Sequence, residues 1–145
     1  MAQGLSLLFE IVDPSGATAV EGLTGALSSS DGGSPQILHY AWSVNMTEKC
    51  PPKVGVATIL LTTVYDEDFD DYISDLVTAN PAPFNAAANI IVGLGPSATP
   101  VQSPENLPKF IDFVRQNDLT NGGTAPGFFQ AYDANVVTIL AALGE

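Results

Sequence analysis

Six carboxylates fall within residues 64–76, VYDEDFDDYISDL: Asp66, Glu67, Asp68, Asp70, Asp71 and Asp75. Acids this dense could hold a hard cation or act as general acids and bases. Asp66, Asp68 and Asp70 give the D-x-D-x-D that opens an EF-hand loop. That loop then needs a Gly, where Asp71 stands, and a bidentate Glu that the chain does not supply at the required spacing. A phosphate-accepting aspartate after a strand would need companion Lys and Ser/Thr motifs that are not evident. Helix formation explains the segment better. Phe69, Tyr72, Ile73, Leu76 and Val77 recur at i, i+3, i+4, i+7 and i+8, which predicts an amphipathic helix over 67–79. Asp66 is then the N-cap, and Glu67 and Asp68 sit in the first turn, where the helix dipole favours negative charge. Asp70, Asp71 and Asp75 project to solvent, and Asn80-Pro81 marks the stop. No metal site is expected.

Other chemistry-bearing residues are few. His39 is the only histidine and lies on the polar face of a predicted strand, with no nucleophile identifiable by spacing. Cys50 is the only cysteine, so neither an intrachain disulfide nor a Cys/His zinc site can form. IIVGLGPSATP resembles part of a flavin or nicotinamide fingerprint at Gly93, Gly95 and Ala98. That family needs a helix after the glycines, and the prolines at 100 and 104 forbid a continuous one, so the reading is a turn. No cofactor is expected. Tyr40, Trp42, Phe110 and Phe129 could line an apolar ligand pocket. For Trp42, a place as a core anchor is the simpler expectation.

The elements that must position these residues follow from periodicity. Residues 4–13, GLSLLFEIVD, alternate with Leu5, Leu7, Phe9 and Ile11 on one face, as in a strand buried mainly on one side. Residues 36–47 alternate with Leu38, Tyr40, Trp42, Val44 and Met46 on one face. Residues 54–65, VGVATILLTTVY, are apolar and β-branched on both faces, which suits a central strand. An apolar strand at 90–95 would complete a β-α-β unit with the strand and helix before it. A second helix is predicted over 107–117, N-capped by Asn106, with Leu107, Phe110, Ile111 and Val114 as its apolar stripe. The stretch 134–143 fits either a strand or a helix, and 17–35 and 119–127 read as extended arms or loops.

The expected fold class is α+β: a predominantly antiparallel sheet or small barrel with one or two amphipathic helices, in a single domain over 1–145. A ferredoxin-like arrangement of 54–145 is the competing topology. Sixteen acids against four bases give a net charge of −12, which disfavours tight nucleic-acid binding and anionic membranes. No signal peptide and no membrane-spanning run is legible, so a soluble protein made in the cytoplasm is expected, with a virion or other assembled particle as one destination.

Only 14% of residues are charged, against roughly 25% in ordinary domains. Scarce charge, Gly/Ser-rich loops and strands apolar on both faces favour a non-enzymatic, self-assembling homo-oligomer of tube, shell or virion type. In size and class the chain is comparable to the subunits of contractile and injection-type tail tubes, a likeness of architecture that no motif carries. A small-ligand-binding domain and a carboxylate-dependent enzyme are the alternatives.

Overall fold

The computed structural model of the protein describes residues 3–12, 18, 21, 38–47, 54–94 and 99–120. Three strands, β1 (Gln3–Ile11), β2 (Leu38–Asn45) and β3 (Ala57–Tyr65), pair in the order β1-β3-β2. Both outer strands run antiparallel to β3. The strand that is apolar on both faces is therefore the central one, as its composition requires. β1 keeps an unbroken register from Gln3↔Tyr65 to Ile11↔Ala57, whereas β2 slips between Leu38 and Tyr40. Because side chains alternate, this register places Leu5, Leu7, Phe9 and Ile11 beside Thr63, Leu61, Ile59 and Ala57 on one buried face.

Among the described residues, three helices cover that face: α1 (Phe69–Ala79), α2 (Pro81–Ala88) and α3 (Leu107–Asn117). The result is an α+β fold, in which the described strands form a three-stranded antiparallel sheet. α1 buries Tyr72, Ile73, Leu76 and Val77, and α3 buries Phe110 and Val114, the stripes their spacing predicts. Asp70, Asp71 and Asp75 are exposed. Arg115 pairs with Asp112 on its own helix and, across to α1, with Asp70, and it lies 5.2 Å over the Phe69 ring.

Several expectations are corrected. α1 begins at Phe69, with Asp68 rather than Asp66 at the N-cap in an extended conformation and without a side-chain cap bond. β3 runs to Tyr65 to pair with Gln3, and residues 66–68 then turn the chain onto the sheet. α2 was not anticipated. Its prolines at 81 and 83 fall in the first turn, where a missing N–H costs little, and the Ala run completes it. Asn80 serves both helices, its backbone N–H and its Nδ2 donating to the Leu76 carbonyl.

Among the described residues, the expected strand at 90–95 reduces to one bridge, Ile11↔Ile91, antiparallel to β1 and therefore parallel to β3 with β1 between them. Gly93, at φ +99, turns the chain away immediately afterwards. Much of the stretch on which the ferredoxin-like topology depends, residues 121–145, lies outside the described residues. Trp42 is not a core anchor. It pairs with Thr62 on the sheet face opposite the helices and is 49% exposed. The segments 17–35 (apart from Thr18 and Glu21), 121–127 and 134–143 lie outside the described residues.

The outer edge of β1 is occupied by two short segments, each of which follows a helix. After α2, Val12 N donates to Ile90 O and Val92 N to Glu10 O, both at 2.8 Å. After α3, Leu119 N donates to Ser6 O at 2.8 Å, while Ser6 N donates to Asp118 Oδ1 at 3.1 Å. Several of the outward backbone groups of this strand are thereby satisfied.

Candidate functional site

A cleft of about 250 Å³ opens between α2, α3 and the turns that join them. Its floor is apolar: Ala88 from α2, Leu94 from the turn after the bridge, Val101 from the loop and Phe110 from α3. Phe84 holds the Phe110 ring edge-on, with centroids 6.0 Å apart and planes at 87°. Asn85, Asn89, Thr99, Asn106 and Lys109 supply the polar part of the lining.

The loop wall is pinned by side-chain amides. Asn85 Oδ1 accepts from Val101 N at 2.7 Å, and Asn85 Nδ2 donates to Gln102 Oε1 at 3.2 Å. Asn106 stands at the N-cap of α3 as expected, with αR backbone angles and no side-chain cap bond; its Nδ2 donates to Thr99 O at 2.9 Å. Helical turns and local amide bonds thus fix the opening, so a ligand need not organise it.

Of the four aromatic candidates, only Phe110 is seen in this cleft. Trp42 lies on the opposite side of the sheet, so these two residues do not line one pocket. The Tyr40 side chain and all of Phe129 are outside the described residues, as are the His39 side chain, Cys50, Gly95 and Ala98. Residues 99–106 form turns, so the helix a dinucleotide fingerprint needs does not begin there. Asn85 and Lys109 were missed as site residues because Asn85 belongs to the unanticipated helix and Lys109 is an ordinary exposed helix position in the sequence.

Among the described residues, no three His, Cys, Asp or Glu side chains converge as metal ligands. None of the carboxylates of residues 66–75 lines the cleft. Glu67 is partly buried. Its Oε2 is enclosed without a hydrogen-bond partner among the described residues. Burial first, then Asp75, Asp71 and Asp68, push its carboxyl above the ordinary range.

A carboxyl raised in the folded state favours folding when protonated and opposes it when ionised. Glu67→Gln is therefore expected to raise the thermal midpoint at pH 7, with the gain fading as pH falls through the carboxylate range. Calorimetry at pH 7 and pH 3.5 checks this, and a midpoint lowered at pH 7 would contradict it.

No described helix is long and apolar enough to cross a membrane. Compared with known protein families, curated proteins and solved structures, the chain matches none.

Proposed function

We propose that the protein is a non-enzymatic subunit that self-assembles through the face of its sheet opposite the helices, as a tube, shell or virion-type component would. The exposure of Trp42 is the observation that carries this reading. A tryptophan left 49% exposed beside half-buried Val44, Leu60 and Val64 presents a large apolar anchor of the kind that dominates interfaces. Its occupant is a second copy of the chain. A β1 edge already covered and a sheet face with so little charge favour pairing through β2 and its outer face. The net charge of −12 disfavours nucleic acid as the occupant.

Native mass by light scattering across protein concentration tests the reading. An oligomer is expected, with Trp42→Ser weakening association about tenfold and Trp42 emission shifting to the blue as the wild type assembles. A strict monomer at every concentration would overturn it.

A small-ligand-binding domain is the second reading, favoured by the pre-formed cleft against Phe110.

A further inference from the structure

We infer that the cleft between α2 and α3 binds a small amphipathic carboxylate, an aryl-alkyl or medium-chain acid whose apolar body lies against Phe110 and whose acid group pairs with Lys109. The inference rests on the ligand-binding reading and names its ligand class. Size comes first. A cavity of about 150 Å³ holds benzene, so one of about 250 Å³ takes roughly ten non-hydrogen atoms. Polarity comes second. Ala88, Leu94, Val101 and Phe110 offer such a molecule an apolar bed, while the amides and Lys109 can meet a polar end.

Charge selects the acid. Among the described residues no Asp or Glu lines the cleft, and Lys109, one of only four bases in the chain, does. Arg115, the other described base, is committed to Asp70 and Asp112. Among the described residues Lys109 pairs with Glu105, at 3.6 Å, and the two side chains are 65% and 72% exposed. An exposed pair of this kind is weak, so exchanging Glu105 for a ligand carboxylate costs little. The cleft is therefore the described place where an anion meets a base without a competing acid in the wall.

The test is an NMR titration of the full chain with 3-phenylpropionate and, separately, with 3-phenylpropan-1-ol, which keeps the skeleton and lacks the charge. Dissociation constants on the order of a millimolar are expected for ligands this small. Perturbed signals should centre on the Asn85, Asn89 and Asn106 side-chain amides and the Leu94 and Val101 methyls. The acid should bind about threefold to fivefold more tightly than the alcohol, the range an exposed ion pair supplies. Lys109→Met should abolish that preference without affecting folding, and Ala88→Leu, which fills the floor, should abolish binding of both.

Equal affinity for acid and alcohol would overturn the ligand class while leaving a pocket. No saturable binding by either at about 20 mM, or shifts centred elsewhere, would overturn the ligand-binding reading as well. Should Ala88→Leu fail to fold, Lys109→Met at its exposed position still decides the class.

Discussion

Replacing Tyr72 with Ala is expected to lower the free energy of unfolding by about 3–5 kcal/mol, the range for truncating a buried aromatic residue. Tyr72 is completely buried. Its ring stacks on Tyr65 with centroids 3.8 Å apart and planes 6° from parallel, and its hydroxyl donates to Thr63 Oγ1 at 2.9 Å. One side chain thus joins α1 to the central strand through packing, an aromatic pair and a buried hydrogen bond. Tyr72→Phe separates these contributions. It keeps the ring and loses the bond, at a cost of about 1–2 kcal/mol, because the Thr63 hydroxyl is left inside the core. Denaturant unfolding of both variants checks the order, and equal losses would show that the ring contributes nothing beyond the hydroxyl.

The same pair predicts alkaline instability. Burial, then the Asp118 and Asp68 carboxylates, push the Tyr65 phenol up to about 12. Burial raises Tyr72 further, against the bond to Thr63, which works in the other direction. Above pH 10 the unfolded chain releases these protons while the folded chain retains them, so the native state binds more protons and stability falls as pH rises. The contribution is whole below pH 10 and is lost through pH 12 and beyond. For the deeply buried Tyr72 the slope approaches about 1.4 kcal/mol per pH unit. Tyr72→Phe should flatten the curve in this window, and an unchanged slope would remove Tyr72 as its source.

Periodicity made most of the fold legible. Alternation in 4–13, the apolar β-branched run of 54–65 and the i, i+3, i+4 stripes beginning at Phe69 and Leu107 made β1, β3, α1 and α3 readable from the residue pattern alone. What escaped were features decided by distant partners. Residues 81–88 look like a proline-broken linker until the prolines are placed in a first turn, where their missing N–H groups are harmless. Residues 90–95 read as a strand, yet Gly93 at φ +99 leaves room for a single bridge. Alternation could group Trp42 with its apolar row but could not say which sheet face the helices would cover. The cleft was legible only through Phe110, because the rest of its lining comes from a helix start, a turn and an amide-pinned loop that no periodic pattern marks.

Removing the Asp118 carboxylate should have the second largest effect, about 2–3 kcal/mol for Asp118→Ala, since hydrogen bonds to a charged acceptor are the stronger kind. Asp118 Oδ1 accepts from Ser6 N at 3.1 Å, Thr120 N at 2.9 Å and Thr120 Oγ1 at 2.7 Å. Thr120 Oγ1 also lies 2.6 Å from the Gly4 carbonyl. A single carboxylate oxygen thus does along β1 what a neighbouring strand's carbonyl would do, and it anchors the chain after α3. Asp118→Asn keeps an acceptor without the charge and should cost less. Because Asp118 is one of the charges raising Tyr65, either change should also let Tyr65 titrate at lower pH. Hydrogen exchange gives the local readout. The Ser6 amide should lose protection in Asp118→Ala while the inner amides of β3 retain theirs. Unchanged Ser6 protection together with a loss below about 0.5 kcal/mol would show that the covered edge does not depend on this side chain. If the proposed assembly runs through β2 and Trp42, uncovering β1 opens a second edge to pairing. Asp118→Ala combined with Trp42→Ser should then regain association that Trp42→Ser alone has lost, by a different and less regular route.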